Sequence, residues 1–238
     1  MLKITNFTKI YPNGKKAVDN ISLEVKSGDI FAFIGHNGAG KTTTIKSVVG
    51  INDITSGEIL IDGMSIVKNP IECKKIMAYI PDNPDMYDAL TGVQYLELIA
   101  DIFNVSKEER NARAKEFAKL LELEKDLNSP ISTYSHGMKQ KLILISAFMH
   151  KPKLIIMDEP FVGLDPKASF AVKEMMKKAV KEEGVAIFFS THVLEVAEKL
   201  CNKVAIIKDG KLVACGTMEE VKKDKSLEKV FLESVDNE

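Results

Sequence analysis

The stretch GHNGAGKT at residues 35–42 constrains the fold more than any other part of the chain. It satisfies the spacing G-x-x-x-x-G-K-[ST]. Before it stands FAFI, an apolar run of the kind that forms a strand buried on both faces. After it, TTIKSVV reads as a helix. Glycines at 35, 38 and 40 let successive backbone N–H groups and a helix N-terminus converge on one anion. A strand, loop and helix joined this way call for an α/β architecture. Gly35, His36, Asn37, Gly38, Ala39 and Gly40 would cradle phosphates, and Lys41 would reach the β- and γ-phosphates. Thr42 would offer a hydroxyl to Mg²⁺, with Thr43 in the same turn. The reading is a nucleoside triphosphate site.

Further strands are expected at 2–10, 18–25, 30–34, 57–61 and 76–80, with a helix at 41–49 and a turn at Asp62-Gly63. Helical character takes over from about 86 to 150. Val93, Leu96, Ile99, Ala100 and Phe103 recur at helical spacing over 92–103. Ser106 to Glu109 reads as a capping box opening a second helix, with Phe117, Leu120 and Leu121 on one side. Strand character returns at 153–157. Asp165-Pro166 starts a helix to about 182 that Gly184 ends. VAIFFS is a buried strand, 204–216 a hairpin about Asp209-Gly210, and Thr217 to Glu220 caps a short terminal helix. The expected organisation is a single domain over 1–238. Its α/β core comprises 1–85 and 150–216, interrupted by a helical insertion at 86–149 and followed by a helical tail at 217–238.

With 238 residues, 45% of them apolar, the chain can bury a sizeable core. Its net charge of −1 gives no reason to expect a nucleic-acid partner. Cys73, Cys201 and Cys215 are odd in number and far apart, which fits a reducing compartment. The N-terminal stretch lacks a signal-peptide apolar region, and no run approaches the roughly 18 apolar residues of a membrane span. The expectation is a cytoplasmic chain whose membrane role, if any, comes through a partner.

LIIMDEP at 154–160 ends an apolar strand in two adjacent carboxylates. Alternation along a strand would aim Asp158 and Glu159 in different directions. Asp158 can then hold Mg²⁺ through water while Glu159 polarises an attacking water. Such strand ends are common at solvent-facing loops, and the 35–42 loop is what favours chemistry here. TYSHGMKQ, from residue 133, places Ser135 and Gly137 at the mouth of an apolar helix. A helix cap alone would account for Ser135.

Taken together, these stretches resemble the nucleotide-binding subunit of ABC transporters over nearly the whole chain. The fold this implies is a P-loop NTPase (RecA-like) core with N-terminal antiparallel β strands and an inserted α-helical subdomain. GHNGAGKT resembles Walker A, and Asp158-Glu159 resembles Walker B with its catalytic glutamate. YSHGM at 134–138 resembles the signature usually written L-S-G-G-Q. In that family two cassettes pair head to tail, so Ser135 and the N–H of Gly137 would grip the γ-phosphate of a neighbour's ATP. Tyr11 stands where an aromatic ring stacks adenine, although a core tyrosine would look similar. Gly163-Leu164-Asp165 resembles the D-loop; without the resemblance Asp165 is simply a helix cap. His192 matches the switch histidine that contacts the γ-phosphate.

Two departures stand out. Asp82 occupies the place of the usual glutamine, where it either substitutes as a Mg²⁺ ligand or alters coupling to the helical insertion. In the signature, Tyr134, His136 and Met138 replace Leu, the first Gly and Gln. His136 adds a donor toward phosphate, or is an exposed substitution without effect. The resemblance implies ATP and Mg²⁺ as cofactors and a second ATP-binding subunit as partner. It also implies a separate multi-spanning permease, with the chain on the cytoplasmic face of the membrane. YSHGMKQ leans toward drug- and peptide-export cassettes of the bacitracin-resistance type. A soluble ABC-type ATPase of translation or DNA repair, and an ATP-dependent switch, stay open as alternatives.

Overall fold

The computed structural model describes residues 1–236; residues 237 and 238, the end of the expected tail, lie outside the described residues. The chain opens with β1 (Leu2–Ile10), β2 (Lys16–Val25), β3 (Ile30–Ile34) and α1 (Lys41–Val48). Next come β4 (Ser56–Ile61), β5 (Met64–Ser65), α2 (Pro70–Lys75) and β6 (Met77–Ile80). Three helices follow, α3 (Gly92–Ile102), α4 (Lys107–Leu120) and α5 (His136–Met149). The chain then returns to strands, with β7 (Leu154–Met157), α6 (Pro166–Glu183), β8 (Ala186–Thr191) and α7 (Leu194–Leu200). It closes with β9 (Lys203–Lys208), β10 (Lys211–Thr217), α8 (Met218–Lys222) and α9 (Leu227–Asp236).

The strands form two sheets. An antiparallel sheet has the order β2-β1-β4-β5, and a six-stranded sheet the order β10-β9-β3-β8-β7-β6. In the second sheet β9, β3, β8, β7 and β6 run parallel, and β10 is antiparallel at the edge. Strand alternation sorts β3 between two cores. Ile30, Ala32 and Ile34 pack with α3, α5 and α6, while Phe31 and Phe33 pack with α1 and the antiparallel sheet. With both faces covered, β3, β7 and β8 read as continuous apolar runs, as expected.

Sequence reading missed α2 and α7, and took α8 and α9 together as one helical tail. The first two span only six and seven residues, too short for a periodic signal to stand out. In place of one short terminal helix, α8 and α9 follow β10. Leu227 is wholly buried in the core beneath α7, and the Glu198 carboxylate accepts its backbone N–H at 3.2 Å. The expected capping box at Ser106 is half formed. Ser106 Oγ accepts from Glu109 N at 3.2 Å, but the Glu109 carboxylate pairs with Arg113 instead of reaching back to the N-cap backbone. Leu121 is buried as expected, whereas Leu120 faces outward at 44% exposure.

Leu227 tests whether the C-terminal helices belong to the core. Leu227→Ala should cost about 2–4 kcal/mol and lower Tm by roughly 5–15 °C. Leu232→Ala, on the exposed side of α9, should shift Tm by less than about 3 °C. Thermal unfolding followed by circular dichroism reads both.

Candidate functional site

Parallel strands place their C-terminal ends along one edge of the sheet, where ligands of open α/β sheets bind. At that edge β3 delivers residues 35–40, β6 delivers Asp82, β7 delivers Asp158 and Glu159, and β8 delivers His192. Gly40 has φ +112°, and a Cβ there would lie 2.6 Å from the Ala17 carbonyl oxygen, so only glycine fits. No side chain caps α1, which leaves its first N–H groups to an anion. The buried Lys41 ammonium donates to Gly35 O at 2.7 Å and lies 3.3 Å from His36 O and 3.6 Å from Glu159 Oε1. The loop borders a cavity of about 250 Å³ walled by Tyr11, residues 36–38 and 40–43, Asp82 and Glu159. Gly35 and Ala39 stand behind it, Ala39 with its side chain in the core.

Asp158 is wholly buried. Its Oδ1 accepts from Ser190 Oγ at 2.5 Å, and its Oδ2 has no hydrogen-bond partner. Burial pushes this carboxyl above its ordinary range, opposed by the Ser190 hydrogen bond and the nearby Thr42 hydroxyl, while the charges of Asp82 and Glu159 push the same way as burial. The two carboxylates diverge for a reason other than strand alternation. β7 ends at Met157, and Glu159 takes a left-handed conformation with φ +47°. That turn swings its side chain toward Lys41 and places Glu159 Oε2 3.0 Å from His192 Nδ1. Ser190 Oγ also accepts the Glu159 N–H at 3.0 Å, so one hydroxyl braces both acids. Ser190 escaped sequence reading, although a hydroxyl ending the apolar run VAIFFS was its signal. Lys15, also on the cavity wall, escaped too.

Tyr11 OH is hydrogen-bonded to Thr43 Oγ1 at 3.2 Å, and Lys9 Nζ lies 5.4 Å from the centre of its ring. Asp82 reaches the cavity wall, but its Oδ1 accepts the Asn83 N–H at 2.9 Å. Ser135 is exposed and caps α5, accepting from Met138 N at 3.3 Å. It lies with His136 and Gly137 off the cavity wall. Asp165 caps α6 by accepting from Ala168 N at 2.8 Å, and Lys141 lies 3.0 Å from its Oδ2. The backbone bond and then Lys141 hold its carboxyl below the usual range.

The sequence profile of the ABC transporter family matches residues 18–162. The chain belongs to this family. It is 37% identical over 223 residues to the bacitracin transport ATP-binding protein BcrA of Bacillus licheniformis, spanning 94% of this chain and 72% of the relative. A solved ATP-binding subunit of an ABC transporter superposes with a TM-score of 0.94 at 33% identity, covering 99% of both chains. A dimeric ATP-binding cassette in a post-hydrolysis state with ADP and Pi superposes at 0.83 with 27% identity, covering 92% of this chain and 99% of the other. The α/β ABC ATPase fold, with its antiparallel sheet beside a mixed sheet, is thus the fold of this chain, and its activity is that of an ABC-type ATPase. ATP is its nucleotide.

The unpartnered oxygen of Asp158, the hydroxyl of Thr42 beside it and the nearby negative charges of Asp82 and Glu159 suit a divalent cation. Among the described residues no three His, Cys, Asp or Glu side chains form a metal cluster.

Asp158 also sets a pH dependence. Because its carboxyl is raised in the folded chain, its protonated form stabilises that fold, and this contribution is lost as pH rises through the raised pKa. Asp158→Asn should therefore raise the Tm of the nucleotide-free protein by roughly 2–6 °C near pH 8. The gain should shrink as pH falls through the raised pKa of Asp158, while ATPase activity is lost at every pH. Thermal melts across pH check the sign.

Proposed function

We propose that the chain is the ATP-binding subunit of an exporter, acting as a head-to-tail dimer that drives a separate multi-spanning permease. The observation that carries this reading is a site built by half. The cavity holds the phosphate loop and the base, whereas the Ser135–Gly137 turn lies off its wall, exposed and with a helix N-terminus behind it. Charge on a γ-phosphate at the cavity mouth calls for donors of that kind. A second copy or a related cassette supplies them.

In this reading Lys41 exchanges its weak contact with Glu159 for a phosphate oxygen, while Gly35 O keeps the ammonium aimed. Glu159, released from Lys41, accepts a proton from the attacking water. His192 steadies its other oxygen and faces the γ-phosphate. Asp158 and Thr42 would hold Mg²⁺, and Asp82 could join them through Oδ2 while its Oδ1 keeps the Asn83 N–H. That ion would supply charge neutralisation across the phosphates. Tyr11 offers its ring to adenine, and Asp165 lies where the two subunits meet.

The permease is a separate polypeptide, and the subunit works against the cytoplasmic face of the membrane. Among the described residues no helix is long and apolar enough to cross a membrane. YSHGMKQ and the 37% identity to BcrA support a drug, peptide or lipid-like cargo moving outward.

Glu159→Gln should retain ATP binding, lose at least about a hundredfold in kcat and sediment as an ATP-dependent dimer. A monomer with full turnover would remove Glu159 as the base. When this variant is tagged and drawn from gently solubilised membranes with ATP, a stoichiometric multi-spanning protein should come with it. Recovery of soluble partners alone would reject transport. Adding Ser135→Arg should abolish the dimer and leave ATP bound to the monomer. Loss of nucleotide binding itself would place Ser135 in its own chain's site.

A further inference from the structure

The N-terminal turn of α5 and the loop after Glu159 meet within one chain at several points. The imidazole of His136 lies across Gly163, where a Cβ would fall 2.5 Å from His136 Cδ2 and 3.1 Å from Nε2. Gly163 has φ +79°, so the loop turns there in a conformation that side chains resist. Gly137 closes in from the same turn, and a Cβ on it would lie 2.7 Å from Gly163 O. Deeper in, Gln140 Nε2 donates to Pro160 O at 3.4 Å, and Lys141 Nζ lies 3.0 Å from Asp165 Oδ2. The loop leads directly to the base, because Val162 N–H donates to Glu159 O at 3.1 Å. Gly163 is thus the residue next to a tight turn that begins at Glu159.

We propose that His136 is a positioning residue whose ring wedges against Gly163 and thereby sets the 160–165 loop and Glu159. The usual signature has glycine at this place and no side chain to put there, so the wedge is an addition in this chain. The proposal rests on the head-to-tail dimer proposed above. There the Ser135–Gly137 turn grips the partner's nucleotide while Glu159 serves its own. The wedge makes the two events mechanically one: when the turn shifts to close on one ATP, the ring moves the loop that carries the base at the other. Both residues are exposed, so the coupling rests on the short approach of the ring to Gly163 and on the Gln140–Pro160 and Lys141–Asp165 contacts that hold the loop against the same helix.

Substitutions that separate ring shape from hydrogen bonding test this. His136→Gly should lower kcat by about tenfold, with KM for ATP changed by less than roughly twofold. His136→Phe keeps a ring and should stay within about threefold of the parent in kcat, while His136→Asn keeps a donor and should behave like the glycine variant. Activity retained by Asn and lost by Phe would overturn the wedge in favour of a donor to phosphate. Full activity in all three would overturn it in favour of a passive surface residue. A cycle with Gly163→Ala adds a second reading. The loss caused by Gly163→Ala should be at least about fivefold larger with His136 present than in the His136→Gly background, and equal losses would overturn the contact. Tm measured on each variant separates these effects from unfolding. The dimer reading fails separately: a Glu159→Gln protein that stays monomeric with ATP removes the link between sites, whereas a dimer with equal losses removes the wedge alone.

Discussion

Five parallel strands with both faces covered leave the central sheet only its ends to offer to solvent. The phosphate loop and the acids of this site are collected along one of those edges, because a strand interior buried on two sides has no place for an unpaired charge. The loop after β3, the acids after β7, His192 after β8 and Asp82 after β6 follow from that constraint. The antiparallel sheet and the helices serve it too, by filling the volumes against Phe31 and Phe33 on one face and Ala32 and Ile34 on the other.

Within that edge, shared partners hold the catalytic groups. Ser190 accepts from the backbone of Glu159 and donates to Asp158, so the ends of two neighbouring strands move together. Lys41 divides its ammonium between two carbonyls of its own loop and the Glu159 carboxylate. A cation with three donors can keep its aim from the carbonyls while exchanging the third partner for a phosphate. Glu159 is therefore held by Lys41, His192 and Ser190 together, and giving up Lys41 leaves the other two in place.

Local sequence carried much of this. The glycine pattern at 35–40, the apolar strands and the Asp209-Gly210 hairpin each express a strong local rule, and the elements they announced are present. Where tertiary contacts decide, sequence was silent or misleading. LEVAEKL at 194–200 is a helix because Ala197 and Leu200 are buried, and seven residues show no clear period. The direction of Glu159 depends on one left-handed residue just past a strand end, a position where alternation no longer applies. Ser190 gained meaning only when β8 was seen beside β7. His136, read from sequence as a donor to phosphate or as an idle surface group, lies against Gly163, a neighbour that no spacing rule could have supplied.

The buried, half-satisfied carboxylate of Asp158 bears on how such a protein lives in a cell. Its fold is least comfortable when empty, and a bound nucleotide with its cation adds stability in proportion to occupancy. Well-fed cells would keep nearly every copy loaded and long-lived. Any fall in total bound nucleotide would let the chain open more often, and quality-control proteases capture chains that open. The abundance of the subunit would then follow the adenylate supply without any dedicated regulator.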